Sequence, residues 1–185
     1  EVSFPVYFHC NFLFRMSPAF QQAANFVKQK KLEVENIQTL WQKDREKKGP
    51  PRPTEGVIID EMTHGLDASL CFLKEVGCKT DSVTIFKVTK KPQSDFDRQI
   101  APKEMQYSLY KDEPKKLDPI ALATYEIKIG EIEVTGFSSF VDDPQKREMI
   151  IKCSKNTTIC IKFDVDGGDQ ISISQGQEIE NTVYP

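Results

Sequence analysis

Only two histidines occur in the chain, His9 and His64, and the second has neighbours suited to chemistry. It lies in Asp60-Glu61-Met62-Thr63-His64-Gly65, two carboxylates and a glycine at the entrance of an apolar run with helical spacing. Imidazole titrates in the physiological range, so a histidine beside carboxylates is equipped for general-base work or for binding an ion. The same residues also suit a solvated turn whose acids favour a helix N-terminus. No serine or cysteine stands near His64 in sequence as a nucleophile, and neither a Gly-x-Ser-x-Gly elbow nor a P-loop is present. Hydrolase and nucleoside-triphosphatase chemistry therefore lack specific support, and no catalytic residue is assigned. His9 sits in the apolar run Phe4 to Arg15 and reads as a core histidine.

The remaining clusters yield no metal site. Asp164-x-Asp166-x-x-Asp169 has the flavour of a calcium loop, but Gly168, Asp169 and Gln175 stand where that loop needs an oxygen ligand, a glycine and a glutamate. An Asp- and Gly-rich hairpin turn explains the same residues. The five cysteines, Cys10, Cys71, Cys78, Cys153 and Cys160, include no C-x-x-C pair. Most lie in apolar runs and read as reduced, buried thiols of an intracellular protein, cytoplasmic or nuclear. Asn156-Thr157-Thr158 fits the glycosylation triplet and supports an extracellular alternative. The chain opens on Glu1 and reads as a piece of a longer polypeptide. No apolar run approaches the ~20 residues a membrane span requires. Neither a metal nor an organic cofactor is expected.

Binding is the other class of function to weigh. The formal net charge is −3, less basic than a dedicated phosphate-backbone binder. Three basic runs exist nonetheless: Lys28/Lys30/Lys31, Lys43/Arg45/Lys47/Lys48/Arg52 and Lys87/Lys90/Lys91. Those with helical spacing alternate with acids and read as solvated faces. A nucleic-acid surface would need Lys30, Lys31, Lys47, Lys48, Arg52, Lys90 and Lys91 to converge in space beside exposed aromatics. Twelve phenylalanines and the single tryptophan give a further option, a protein-docking surface bearing Trp41, Phe20, Phe96 and Tyr110.

Periodicity supplies the elements that would carry these residues. Phe4 to Arg15 reads as a strand apolar on both faces. Ser17-Pro18 is a helix start, and the apolar spacing from Phe20 through Trp41 predicts helix over about 17–47, bent or in two pieces. Gly49 to Pro53 is a stiff, proline-rich connector. Val57-Ile58-Ile59 predicts a short strand, Leu66 to Val76 a helix closed by Gly77, and Val83 to Val88 a strand. Lys90 to Glu104 reads as a long loop, and Met105 to Leu109 as a strand. From Ile120 onward the alternation is entirely β, ending in Ile159, Ile161, Phe163 and Val165, an Asp-Gly turn, and then Ile171 and Ile173.

The segment Gly168-Asp169-Gln170-Ile171-Ser172-Ile173-Ser174-Gln175-Gly176, with Asn181 beyond it, resembles the second motif of cupin-type jelly rolls. Metal-dependent cupins place a histidine just past that glycine, where this chain has Gln177, Glu178 and Ile179. The resemblance therefore implies a metal-free member serving in dimerisation or recognition. The fold expected is α+β, a helical N-terminal layer (helices about 17–47 and 66–76) on an antiparallel β sandwich or jelly roll in the C-terminal half. It reads as a single domain over 1–185, divisible into a strand-helix segment 1–48, a linker 49–56 and a β-rich core 57–185. The functional expectation is a non-catalytic protein-interaction or dimerisation module. The alternatives are an RNA- or DNA-binding module and an enzyme using His64 with nearby carboxylates.

Overall fold

The computed structural model describes residues 13–43, 57–96, 120–142, 144–165 and 168–185. Expectations that fall on Phe4 to Phe12, the proline-rich connector, Met105 to Leu109, His9, Cys10, Lys47, Lys48, Arg52 and Tyr110 lie outside these residues.

After a 3-10 turn (Leu13–Met16), helix α1 runs Pro18–Lys30. Ser17 caps it, its hydroxyl accepting from the Phe20 N–H at 3.4 Å, and proline opens the first turn. The helix stops seventeen residues before the expected end at 47, because Lys31 adopts a left-handed conformation (φ 49°) that turns the chain away from the axis. The chain then enters strand β1, Val34–Gln42. Val34, Ile37, Leu40 and Trp41 match a helical stripe, yet an irregularity between Val34 and Asn36 resets the phase so that Ile37, Thr39 and Trp41 alternate inward. One extra residue turns a period of two into an apparent period of 3.6.

The expected strand at Val57-Ile58-Ile59 is instead helical. A π-turn (Ile58–Met62) runs directly into helix α2, Thr63–Glu75. The β-branched run favours a strand only if a pleated neighbour receives it, and here Val57 is buried beneath the helix entrance instead. The remaining strands are β2 (Val83–Pro92), β3 (Ile120–Ile129), β4 (Ile132–Ser139), β5 (Lys146–Cys153), β6 (Thr157–Val165), β7 (Gly168–Gln175) and β8 (Glu178–Tyr184).

The strands form one eight-stranded sheet in the order β2-β3-β4-β1-β5-β6-β7-β8. Every pairing is antiparallel except β1 with β4. The α+β class therefore holds, but among the described residues two helices, not a second sheet, cover the buried face. Cross-strand partners carry that face along the sheet: Ile37 opposes Val134 and Ile151, Ile151 opposes Ile159, and Ile159 opposes Ile173. The expected alternation of Ile159, Ile161, Phe163, Ile171 and Ile173 into the core is what the strands show. Helix α1 lies over β6 to β8, where the Tyr184 hydroxyl donates to Gln22, and α2 lies over β1 and β4. Phe20 and Phe72 meet edge to face at 5.7 Å between the helices, and Lys28 bonds Glu75 at 2.5 Å.

Two glycines make room on the buried face of the sheet. Gly65 brings α2 against Thr39, and Gly136 leaves the space occupied by the Tyr125 ring. A methyl at Gly136 would overlap that ring, whose hydroxyl is 2.8 Å from the Thr39 hydroxyl. Gly136→Ala is expected to cost about 1–3 kcal/mol through overpacking, read as a lower urea midpoint with an unchanged slope.

Candidate active site

Six elements meet at the carboxyl end of β1. Trp41 and Gln42 end that strand and Lys43 follows it, and Arg147, opposite Trp41 in the register, is the second residue of β5. Phe163 and Asp164 close β6, Glu61 comes from the π-turn, His64 from the first turn of α2, and Phe14 from the N-terminal 3-10 turn. A π-turn widens the helix by one residue and is often found where a side chain must be re-aimed. Here the turn carries Glu61, which is 1% exposed.

Glu61 forms an ion pair with Lys43, and its other oxygen lies 3.8 Å from Arg147 Nε. Arg147 also pairs with Asp164, a residue at φ 55° on the rim of the β6–β7 hairpin. A carboxylate this deeply buried is tolerable only with opposite charges beside it. Lys43 is fixed in turn: its N–H donates to the Ser139 carbonyl at 3.0 Å, and its ammonium lies 5.8 Å from the Phe140 ring centroid.

An aromatic wall borders the charges. Phe14 is its hub, edge to face with Trp41 at 5.6 Å, His64 at 5.2 Å and Phe163 at 5.1 Å, with the Arg147 guanidinium 5.7 Å away. Arg15, next to Phe14, anchors this turn to α2 through Asp67, with Nε to Oδ2 at 2.7 Å. Buried polar atoms of the cluster with no hydrogen-bond partner among the described residues include Trp41 Nε1, Glu61 Oε2 and Arg147 Nε. Native interiors seldom leave such atoms unsatisfied.

Below the cluster, burial raises the Tyr125 phenol from its ordinary 10.0 to about 12, against the lowering effect of the Thr39 and Ser69 hydroxyls. Below pH 10 the phenol is neutral in both folded and unfolded chains, and its contribution is complete. As pH rises, the unfolded phenol ionises first, so stability falls until the folded group also ionises near 12. A loss of about 2–3 kcal/mol is expected across that window. Tyr125→Phe should flatten the alkaline slope of stability, which equilibrium urea unfolding at stepped pH reads directly.

Of the residues the sequence singles out, His64 and Glu61 both lie at the cluster. The Asp60 side chain is outside the described residues. Lys43 is a correction: it belongs to a run expected to be solvated, but the strand end carries it inside. Arg147 and Phe14 carry no local signal, since nothing in their sequence surroundings announces that they meet Glu61 and His64. Trp41 and Phe20 are both 0% exposed, so neither presents a docking surface. Each lies on an inward-facing position, and the helix layer covers it. Phe96, after a 3-10 turn at Gln93–Asp95, is half-buried against the core. Lys30 and Lys31 end α1, while Lys90 and Lys91 lie on β2, at the sheet edge opposite the strands under α1. These lysines do not converge. The described cysteines, Cys71, Cys78, Cys153 and Cys160, are free thiols. Among the described residues no group of three or more His, Cys, Asp or Glu is arranged to hold a metal, and no helix is long and apolar enough to cross a membrane.

Taken as an arrangement of elements, this is an α+β fold shared with oxidoreductases. The dehydrogenase MviM from Clostridium difficile superimposes with a TM-score of 0.64 at 11% identity, over 94% of this chain and 45% of that one. KijD10, a 3-ketoreductase from Actinomadura kijaniata solved with NADP and TDP-benzene, gives 0.63 at 11% identity, over 95% and 48%. An inositol dehydrogenase homologue from Azotobacter vinelandii, complexed with NADH and myo-inositol, gives 0.61 at 13%, over 93% and 41%. The chain thus spans less than half the length of each of these proteins. No family model matches the sequence, and no curated protein does.

These likenesses overturn the cupin resemblance. The Gly168 to Gly176 motif is an ordinary hairpin in an open sheet, and any alternating strand pair with a glycine turn produces the same letters. The expectation of a non-catalytic interaction, scaffold or dimerisation module gives way as well, since the structures sharing this fold are dehydrogenases and a reductase.

Proposed function

We propose that this chain forms the substrate-side part of an oxidoreductase that interconverts an alcohol and a ketone on a polyhydroxylated molecule. The observation that carries this reading is the convergence of His64, the buried Glu61 with Lys43 and Arg147, and the aromatic wall at one end of the sheet. The fold neighbours handle chemistry of this kind, one of them bound to myo-inositol and another described as a 3-ketoreductase.

Oxidising a carbinol requires a group that accepts the hydroxyl proton, and reduction requires the same group to return it. His64 takes that role, held against the Phe14 ring edge. Arg147, whose side chain is 18% exposed and reaches Asp164 at the rim, meets a substrate oxygen, and the buried Glu61 holds it in place from below. Phe14, half-buried, offers flat apolar surface to the carbon face of a ring, and the buried Phe163 backs it. Two neighbours were solved with nicotinamide dinucleotides, but this chain has no Gly-x-Gly-x-x-Gly fingerprint, and its described residues form no cradle for a pyrophosphate. The residues present do not fit such a group, so in this reading it is held elsewhere and no step is routed through it here. Reduced thiols accord with a cytoplasmic setting.

The test is to supply the natural polypeptide carrying these residues with NAD+ or NADP+ and a panel of cyclic polyols and sugars, following nucleotide reduction by absorbance. Turnover of at least one polyol is expected. Absence of turnover across the panel, together with no calorimetric binding of myo-inositol, would count decisively against the reading.

A further inference from the structure

We propose that copies of this chain associate head to tail through their sheet edges, β2 of one copy pairing with β8 of the next. Among the described residues, six of the seven large apolar side chains that stand exposed lie on these two strands: Val83, Ile85, Phe86 and Val88 on β2, Ile179 and Val183 on β8. Both are terminal strands of the sheet, each hydrogen-bonded to a single neighbour among the described residues. A long apolar edge with free backbone groups is a template for another strand.

Charge selects the partner. Strand β2 carries Lys87, Lys90 and Lys91 and no acid, whereas β8 carries Glu178 and Glu180 and no base. Among the described residues Lys87 has only a loose 3.9 Å contact with Glu126, both side chains more than half exposed, so the edge stays positive. Pairing β2 with another β2 would set lysines against lysines, and β8 with β8 would set glutamates against glutamates. Like charges discourage both, and opposite charges favour the mixed edge. Such a contact is heterologous, so it extends into short chains of molecules instead of closing as a twofold pair. A single strand edge buries less than the ~1,600 Å² of a standard interface, so the association is weak and reversible.

Sedimentation velocity of the chain over a range of concentrations is the test. At low salt the weight-average mass should rise at least about twofold between dilute and concentrated samples, and fall back at ~0.5 M salt. Glu178→Lys with Glu180→Lys should remain monomeric, and so should Lys87→Glu with Lys90→Glu and Lys91→Glu. All five positions are exposed, so unchanged thermal melts should confirm that both variants fold. Mixing the two variants should restore association, since each then offers the edge the other lacks. A chain that stays monomeric at every concentration, association untouched by either reversal, or a mixture no more associated than its components would each overturn the proposal.

Discussion

Glu61→Leu is expected to lower the free energy of unfolding by about 3–5 kcal/mol, the range found when one partner is removed from a buried ion pair. The pair attraction itself is only part of that loss. Leucine fills a similar volume, but Lys43 and Arg147, 10% and 18% exposed at their side chains, then lose the buried carboxylate that offsets their desolvation. Arg147 keeps Asp164 as a partner at the rim, so Lys43 bears the larger share. Two comparisons separate this account from simple loss of packing. Glu61→Gln keeps the shape and removes the charge, and it should recover little. Glu61→Leu combined with Lys43→Met should be more stable than the sum of the single losses implies, because the second change removes the stranded charge. Urea unfolding of the four proteins supplies the cycle. A single-mutant loss under about 1 kcal/mol would show that these charges are solvated and that the cluster is not a closed site.

His64→Gln is expected to reduce kcat in the alcohol–ketone reaction by about 10²–10⁴-fold, the usual contribution of a positioned proton-transfer group. Glutamine keeps polar atoms in the same region but does not shuttle a proton at neutral pH. Substrate binding through Arg147 and the Phe14 ring should survive, so KM should move far less than kcat. His64 is only half-buried and lies in the first turn of α2, so the variant should fold with a near-natural melting curve. Activity within a few-fold of the natural protein would remove His64 from the proton path and leave the aromatic wall as a binding surface only.

Legibility varies along the chain for physical reasons. The strands from Ile120 to Tyr184 pair mostly with sequence neighbours through short turns, so alternation alone locates them. The Lys155-Asn156 turn shows why: both residues take positive φ (59° and 54°), which a tight hairpin between β5 and β6 demands. Strand β1 escapes a local reading because its bulge mimics helical spacing and its partners, β4 and β5, lie about a hundred residues away. The same distance hides the site. His64 and Glu61 are local neighbours and are visible together, whereas Lys43 and Arg147 reach Glu61 only because the sheet sets the end of β1 beside the start of β5.

By itself the amino-acid order determined the α+β class, the capped start of α1, the second helix and the β-rich C-terminal half. Each of these arises from spacing or turn chemistry within a dozen residues. Only tertiary structure decided that one sheet replaces two, that Trp41 is core, and that a carboxylate, two cations and a histidine share one end of the molecule. Those outcomes depend on which strands neighbour which, and hydrophobic periodicity states which face of a strand is buried without stating what lies beside it.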